Sequence, residues 1–257
     1  MVNRIDRVLR DKKALILSFD QGLEEGPKVF NLHSIDPNYV LNIALEGQYT
    51  GIVLHPGIAE KYVTDHYRDV PLIIKLNGKT AMQHINPLAR QTCSVERAIK
   101  LGGDAVGYTI YDGTPAESIM FQEFGNVVEQ AHDYGIPVIA WMYSRLDATD
   151  TDSAAYASRI ALELGADAVK LKYNGDKKGF EWVAKAAGDC RVLAADNEHA
   201  NDLDTLKYIH EVVQAGAAGA ALGKTVWQHQ KPFSLTRALH AIIFKGKTPE
   251  EAVKYLE

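Results

Sequence analysis

The sequence has 257 residues, of which 46% are hydrophobic, and a formal net charge of −5. This length fits one large α/β domain, expected over 1–257, better than two small domains. The negative charge balance argues against nucleic acid as a partner, and the absence of a long apolar run argues against a membrane partner. Cys93 and Cys190 have no Cys-x-x-Cys spacing, so we expect a reducing, cytoplasmic location and no thiolate metal site.

Short apolar segments bounded by turn residues predict β-strands along the chain, after a short amphipathic helix in 1–10. Five strands are expected at 14–19, 51–54, 71–75, 137–141 and 191–194. Three more end a repeated pattern, at 98–108, 161–170 and 213–223, in which a glycine separates an amphipathic helix from an apolar strand. A final helix is expected in 245–257, capped near Thr248.

Eight strands that alternate with helical patterns predict a single-domain (β/α)8 barrel. An open doubly wound sheet is the alternative, but the glycine fingerprint that follows its first strand is missing. In a barrel, the active site lies at the carboxyl ends of the strands and on the loops that follow them. We therefore expect the functional residues at these strand ends.

The predicted sixth strand carries two lysines, Lys170 and Lys172, on the same face. Burial disfavours the ammonium form and lowers the pKa of a lysine, by up to about 3–5 units when burial is complete. A neutral amine can condense with a carbonyl group to form a Schiff base. The alternative is structural: one lysine reaches past the strand end to solvent and the other pairs with a carboxylate.

The strand ends collect polar and aromatic residues that suit carbon–carbon bond cleavage. These are Asp20, Gln21, Lys75, Asn77, Lys79, Tyr108, Thr109, Trp141, Tyr143, Lys170, Lys172, Asp196, Asn197, Gly223, Lys224 and Thr225. An imine on a lysine withdraws electrons from the bond that breaks, and a second group must transfer the proton. Tyr143 suits proton transfer if nearby positive charge lowers its pKa, whereas Asp20 suits the stabilisation of cationic intermediates. Trp141 would shape the pocket and exclude water.

The nine histidines show no paired spacing of the kind that binds metals, so residues such as His55 are expected to be structural or exposed. We therefore expect neither a metal nor another cofactor.

Six motifs along the chain carry a family resemblance. They are DQGLEEGP at 20–27, KLNGKT at 75–80, GYTIY at 107–111, WMYSR at 141–145, VKLKYNGD at 169–176 and LGKTVWQ at 222–228. In this order they resemble the archaeal-type class I fructose-bisphosphate aldolases, and the match runs from about residue 14 to residue 240. The resemblance implies a metal-free (β/α)8 barrel, a sugar phosphate as substrate and assembly into homo-oligomers.

The resemblance also implies roles for single residues. It makes Lys170 the Schiff-base lysine, Asp20 an active-site carboxylate, Trp141 a substrate contact and Tyr143 the proton-transferring residue. Lys172 then becomes an electrostatic neighbour, which helps to hold Lys170 neutral or meets a substrate phosphate.

The chain departs from the family at the expected substrate-binding loops. Glu25 replaces a histidine before Gly26, and a loop at 195–198, with Ala195, Asp196 and Asn197, replaces a Ser-Gly-Gly type loop that holds a phosphate. Lys224, after Gly223, replaces an arginine; lysine neutralises a phosphate as a point charge, without the two-pronged geometry of a guanidinium.

Three functions follow. The first is a class I aldolase that cleaves fructose 1,6-bisphosphate to dihydroxyacetone phosphate and glyceraldehyde 3-phosphate. The second has the same imine chemistry on another ketose phosphate or a deoxy-sugar, as in transaldolase-like synthases, and the changed loop at 195–198 favours it. The third is a barrel without catalytic activity that serves as a binding protein, against which Lys170, Asp20 and Tyr143 together argue.

Overall fold

The structure, a computed structural model, describes residues 4–82, 87–144, 150–197 and 199–256. Its strands are β1 (Ala14–Phe19), β2 (Gly51–Leu54), β3 (Leu72–Lys75), β4 (Ala105–Ile110), β5 (Val138–Met142), β6 (Ala168–Leu171), β7 (Arg191–Ala195) and β8 (Gly219–Leu222). Neighbouring strands pair in parallel in sequence order, and β8 pairs with β1, so that the sheet closes. The prediction of a (β/α)8 barrel is therefore confirmed.

The helices alternate with the strands. They are α1 (Gln21–Glu24), α2 (Pro37–Glu46), α3 (Pro56–Tyr62), α4 (Val95–Lys100), α5 (Glu117–Asp133), α6 (Thr151–Glu163), α7 (Lys177–Ala186), α8 (Asp202–Gln214), α9 (Lys224–Trp227), α10 (Pro232–Lys245) and α11 (Pro249–Ala252). Several begin at a polar side chain that accepts a backbone N–H of the first turn, as Ser94 does for α4 and Asn201 for α8.

Two apolar layers lie on opposite sides of the sheet. An inner cluster fills the barrel and includes Ile16, Trp141 and Ala168, whereas an outer cluster joins the strands to the helices and includes Val169 and Leu171. The side chains of β6 thus alternate as the sequence predicted. Because side chains alternate along a strand, Lys170 lies on the same face as Ala168 and projects into the barrel, where it is buried.

The closure between β1 and β8 depends on a glycine. The pair Ala14 and Gly219 are partners in register, and a Cβ on Gly219 would lie 1.8 Å from the carbonyl oxygen of Ala14. No side chain fits at this distance, so only glycine allows the two strands to pair here.

The two ends of the chain compare differently with their predictions. A 3-10 helix, Arg4–Val8, replaces the expected amphipathic helix in 1–10. Lys245 belongs to α10, which ends there because Gly246 adopts a left-handed conformation, with φ of 63°. The cap predicted near Thr248 for the final helix is confirmed. A shorter helix, α11, starts after Thr248, where Thr248 and Glu251 form a capping box.

Across the described residues, the structure contains no helix with the length and apolar character that a membrane crossing requires.

Candidate active site

Lys170 lies at the centre of the candidate site, on β6. Only 5% of its surface is exposed, and its Nζ atom lies 3.4 Å from the hydroxyl of Ser18, on the inner face of β1. Burial lowers the pKa of the Lys170 amine below its ordinary value, although the carboxylates of Asp20 and Asp196 act in the opposite direction. The lowered pKa increases the fraction of neutral amine, which is the nucleophilic form.

A second buried lysine, Lys75 on β3, forms ion pairs beside Lys170. The Lys75 Nζ atom lies 2.8 Å from Oδ2 of Asp20 and 3.4 Å from Oε1 of Glu24. Burial alone would raise the pKa of Asp20, but the charges of Lys75 and Lys170 outweigh it and bring the pKa to about 2. Asp20 is therefore ionised at neutral pH.

The ring of Trp141 separates apolar core from these charged groups. It is almost fully buried, with 1% of its surface exposed, and its centroid lies 5.0 Å from Nζ of Lys75 and 5.8 Å from Nζ of Lys170. Gly107, on the adjacent strand β4, leaves the room that the ring needs, because a Cβ there would lie 2.4 Å from a ring carbon. Within the described residues, the indole N–H of Trp141 has no hydrogen-bond partner.

Tyr143 follows β5 and stacks on Tyr111, with ring centroids 5.7 Å apart. Although 40% of the residue is exposed, burial of its phenol group and the carboxylates of Glu24 and Asp20 raise the pKa of Tyr143 well above its ordinary value. The expectation that nearby lysines lower this pKa is wrong for the free protein, because burial of the phenol and the carboxylates around it raise the pKa. The phenol of Tyr143 is therefore neutral and carries its proton at neutral pH.

Lys172 does not share the environment of Lys170. Strand β6 ends at Leu171, so Lys172 is exposed at the rim, where it lines a cavity of about 680 Å³ with Asp196 and Lys224. Of the two roles expected for Lys172, that of holding Lys170 neutral is not supported by this position, whereas contact with a substrate phosphate stays a prediction. The positive charge that lowers the pKa of Lys170 is instead that of Lys75.

The loops after β7 and β8 meet through Asp196. Its Oδ2 atom accepts the backbone N–H groups of Gly223, at 3.1 Å, and Thr225, at 3.3 Å. The carbonyl oxygen of Asn197 accepts the hydroxyl of Thr225 at 3.2 Å. Asp196 thus points toward the start of α9, and backbone donors that could hold an anion already bind a carboxylate of the chain itself.

Lys224 is likewise paired within the chain. Its Nζ atom lies 2.9 Å from Oε2 of Glu25, and both side chains are partly exposed. The negative charge expected at Glu25 is therefore present in the site and neutralises the expected phosphate-binding lysine. Ala195 precedes this region at the end of β7 and is buried, whereas Glu198 and Arg145 lie outside the described residues.

Some strand-end residues serve the fold instead of the site. The side-chain amide of Asn77 donates to the carbonyl oxygens of Ala89 and Thr109, at 2.9 and 2.8 Å, and its oxygen accepts the N–H of Thr109. The hydroxyl of Tyr108 donates to Glu123 at 2.6 Å. These contacts hold the loop after β3 against the neighbouring strand.

Sequence reasoning missed three residues of the site: Ser18, Glu24 and His55. Ser18 is the one polar residue of the apolar strand β1, and this feature of the sequence could have identified it as a site residue. Glu24 lies one helical turn after Asp20, at the end of α1, so its carboxylate also contacts Lys75. His55 follows β2; burial and the charge of Lys75 lower its pKa to about 4, so its imidazole is neutral and lies beside Asp20.

A closed barrel with a buried amine, an ionised carboxylate and a neutral phenol at one opening defines the imine-forming class of barrel enzymes. A family model described as DeoC/LacD family aldolase matches residues 14–229. The chain belongs to this family of aldolases, and the resemblance found in the motifs is confirmed.

Named relatives agree with the family. The chain is 42% identical to the class 1 fructose-bisphosphate aldolase of Thermoproteus tenax, over 96% of this chain and 97% of that protein. It is 31% identical to a 2-amino-3,7-dideoxy-D-threo-hept-6-ulosonate synthase of Halobacterium salinarum, over 97% and 94% of the two chains. Among solved structures, an archaeal fructose-1,6-bisphosphate aldolase, with its catalytic lysine bound to the carbinolamine intermediate of the substrate, matches with a TM-score of 0.89 and 41% identity. The match covers 93% of this chain and 98% of that one.

Proposed function

We propose that this protein is a class I aldolase that forms a Schiff base and cleaves fructose 1,6-bisphosphate reversibly, without a metal. The products would be dihydroxyacetone phosphate and glyceraldehyde 3-phosphate, as in glycolysis, and the reverse reaction serves gluconeogenesis. The observation that carries the proposal is the buried Lys170 amine with a lowered pKa at the carboxyl end of β6. The Thermoproteus tenax relative, at 42% identity, supports the choice of substrate.

The first half of the reaction uses the neutral forms of Lys170 and Tyr143. The Lys170 amine attacks the ketone carbon of the open-chain sugar and gives a carbinolamine. Tyr143 then donates its proton to the departing hydroxyl, so that water leaves and a positively charged imine forms beside a tyrosinate. The raised pKa of Tyr143 in the free protein supports this order, because the phenol begins with its proton in place.

The second half returns that proton. The tyrosinate removes the proton from the sugar's C4 hydroxyl, the C3–C4 bond breaks toward the imine, and the aldehyde product leaves an enamine on Lys170. Tyr143 next protonates the enamine carbon, and water releases dihydroxyacetone phosphate. Asp20, ionised and close to Lys170, stabilises the cationic imine and accepts hydrogen bonds from substrate hydroxyls. Trp141 keeps the imine away from bulk water.

Borohydride trapping tests this function. Reduction in the presence of dihydroxyacetone phosphate converts the imine to a stable secondary amine, which intact mass and peptide mapping locate. We expect one adduct, on Lys170, and its loss in Lys170→Met but not in the matched variant Lys172→Met. An adduct on Lys172, or no adduct with any ketose phosphate, contradicts the proposal.

A second candidate is the same chemistry on another ketose phosphate or a deoxy-sugar. The observation in its favour is that Asp196 occupies the N–H groups of Gly223 and Thr225 while Glu25 neutralises Lys224. These contacts disfavour a phosphate at this position. The Halobacterium salinarum synthase is a relative that carries a different name. Cleavage rates for ketoses with and without each phosphate group distinguish the two candidates.

We further propose that the enzyme acts in the cytoplasm as a homo-oligomer. The family resemblance supports the assembly. Cys93 and Cys190, both buried and unpaired, support a reducing compartment. Light scattering coupled to size-exclusion chromatography measures the mass of the particle, and a monomer contradicts the assembly.

A further inference from the structure

Lys75 forms the most buried ion pair among the charged groups described above. It is fully buried and holds Asp20 on one side while it lies against the ring of Trp141 on the other. We propose that Lys75 is a positioning residue whose fixed ammonium keeps Asp20 engaged and thereby leaves Lys170 free to act as a neutral nucleophile. This inference rests on the proposed imine chemistry at Lys170.

The first step is that Lys75 stays charged. Burial would favour its neutral form, but the carboxylates of Asp20 and Glu24 outweigh burial and raise the pKa of Lys75 above its ordinary value. The contact of the ammonium with the face of the Trp141 ring adds to this, since aromatic faces attract cations. Lys75 therefore does not serve as a second nucleophile.

The second step is competition for Asp20. Four charged groups surround the Lys170 amine: Asp20 and Glu24 after β1, Lys75 on β3 and Asp196 after β7. Asp20 favours the ammonium form of Lys170, and it would do so more strongly if Lys75 did not bind it, at 2.8 Å. The Lys170 amine has instead a contact of 3.4 Å with the uncharged hydroxyl of Ser18.

The third step is repulsion between the two amines. Both lie near the same ring, 5.0 and 5.8 Å from its centroid, in a barrel interior where charges are poorly screened. A proton on Lys170 is therefore disfavoured while Lys75 carries one. An ion pair that serves only stability would need neither this competition nor this proximity.

The pH dependence of reductive imine trapping distinguishes an effect of Lys75 on Lys170 from a purely structural ion pair. The rate of reductive trapping by dihydroxyacetone phosphate and cyanoborohydride follows the neutral fraction of Lys170 across the neutral and alkaline range. In Lys75→Met, which keeps the side-chain length, we expect the midpoint to rise by about one pH unit and the rate at neutral pH to fall about tenfold. In Lys75→Arg, which keeps the charge, the midpoint should stay near that of the wild type, even if turnover falls.

A midpoint that is unchanged in Lys75→Met, or equally raised in Lys75→Arg, overturns the inference. If the Lys75 variants do not fold, Glu24→Gln decides, because Glu24 is partly exposed and its contact is longer. The Glu24 carboxylate favours the ammonium form of Lys170, so its removal should lower the pH midpoint of trapping. An unchanged or raised midpoint contradicts the inference. A wild type that shows no adduct would instead refute the proposed function, so the two failures are distinct.

Discussion

The carboxylate of Asp196 accepts the backbone N–H of Gly223 at 3.1 Å, and this contact joins the loops after β7 and β8. In many barrels, these two loops and a short helix after β8 bind the phosphate of the substrate. Here a side chain of the protein fills that position. A phosphate that binds at this position would have to replace Asp196 on its donors and separate Lys224 from Glu25.

Replacement of Asp196 by asparagine should strengthen the binding of a phosphorylated substrate. The variant keeps an oxygen that can accept the N–H of Gly223 but removes the charge that repels phosphate. We expect KM for fructose 1,6-bisphosphate to fall about fivefold, equivalent to about 1 kcal/mol, with kcat little changed. Steady-state kinetics measure both constants.

The matched control for this charge change is Asp202→Asn. Asp202 lines the same cavity but pairs with His229, at 2.9 Å. Its variant should leave KM within twofold of the wild type, roughly the effect expected of a distant, screened charge. If both variants lower KM equally, the general charge of the cavity is responsible, and the specific role of Asp196 is refuted.

Replacement of Tyr143 by phenylalanine should slow both the loss of water that forms the imine and the bond cleavage that follows it, without removing the nucleophile. Without the hydroxyl, a long incubation with borohydride still gives the adduct on Lys170, but the cleavage rate should fall by about 10²–10⁴. Tyr111→Phe, in the ring that stacks on Tyr143, is the control and should lose far less activity. Turnover in Tyr143→Phe that equals the wild-type value removes Tyr143 from the mechanism.

Replacement of Gly107 by alanine should disturb the site without touching a charged group. The new methyl would lie 2.4 Å from the Trp141 ring, so the ring must move, and with it the contacts to both buried lysines. We expect a loss of about 1–3 kcal/mol in the free energy of unfolding and a clear loss of activity. Denaturant titration and kinetic assays measure the two effects.

Gly125→Ala provides the comparison for this packing effect. Gly125 lies within α5, and a Cβ there would have no neighbour within 4 Å. This change should raise the free energy of unfolding by about 0.5–1 kcal/mol, because alanine favours the helix. Equal effects of the two substitutions would mean that Trp141 does not depend on the space at Gly107.

The low pKa of Asp20 predicts a stability effect in acid. Because this pKa is lowered from its ordinary value of 3.8 to about 2, folding is favoured by the ionised carboxylate above about pH 4. That contribution is lost as the pH falls through 2. The difference in the free energy of unfolding between the wild type and Asp20→Asn should therefore narrow from pH 4 to pH 2. A constant difference across this range contradicts the lowered pKa.

The alternation of helix, glycine and strand was sufficient to predict the barrel. Helices bury one stripe and inner strands bury both faces, so the sequence pattern records this architecture directly. The ends of elements were less predictable. At 71–75 the strand starts one residue later than predicted, and at Lys245 the helix ends because the backbone at Gly246 turns left-handed. Such ends depend on local hydrogen bonds.

For the site, the sequence placed Lys170, Asp20 and Tyr143 at one opening but could not assign the partners of the amines. Two lysines two residues apart suggested a pair, yet the strand ends between them, and the ammonium group that acts on Lys170 is that of Lys75, on β3. Strand alternation describes one strand at a time, whereas this contact depends on the diameter of the closed barrel. The direction of the pKa shift of Tyr143 also depends on distances to Glu24 and Asp20.

The pairing of β1 with β8 determines the stage of folding at which the candidate active site is complete. Ser18 and Asp20 lie on or after the first strand, and Gly223 follows the last, so one edge of the opening joins residues that are about two hundred positions apart. During synthesis, the segment of β6 with Lys170 is made before the segment of β8. A chain released before β8 is complete would then hold the nucleophile but lack part of its surroundings. Aldol cleavage should therefore appear only when the ring of strands has closed.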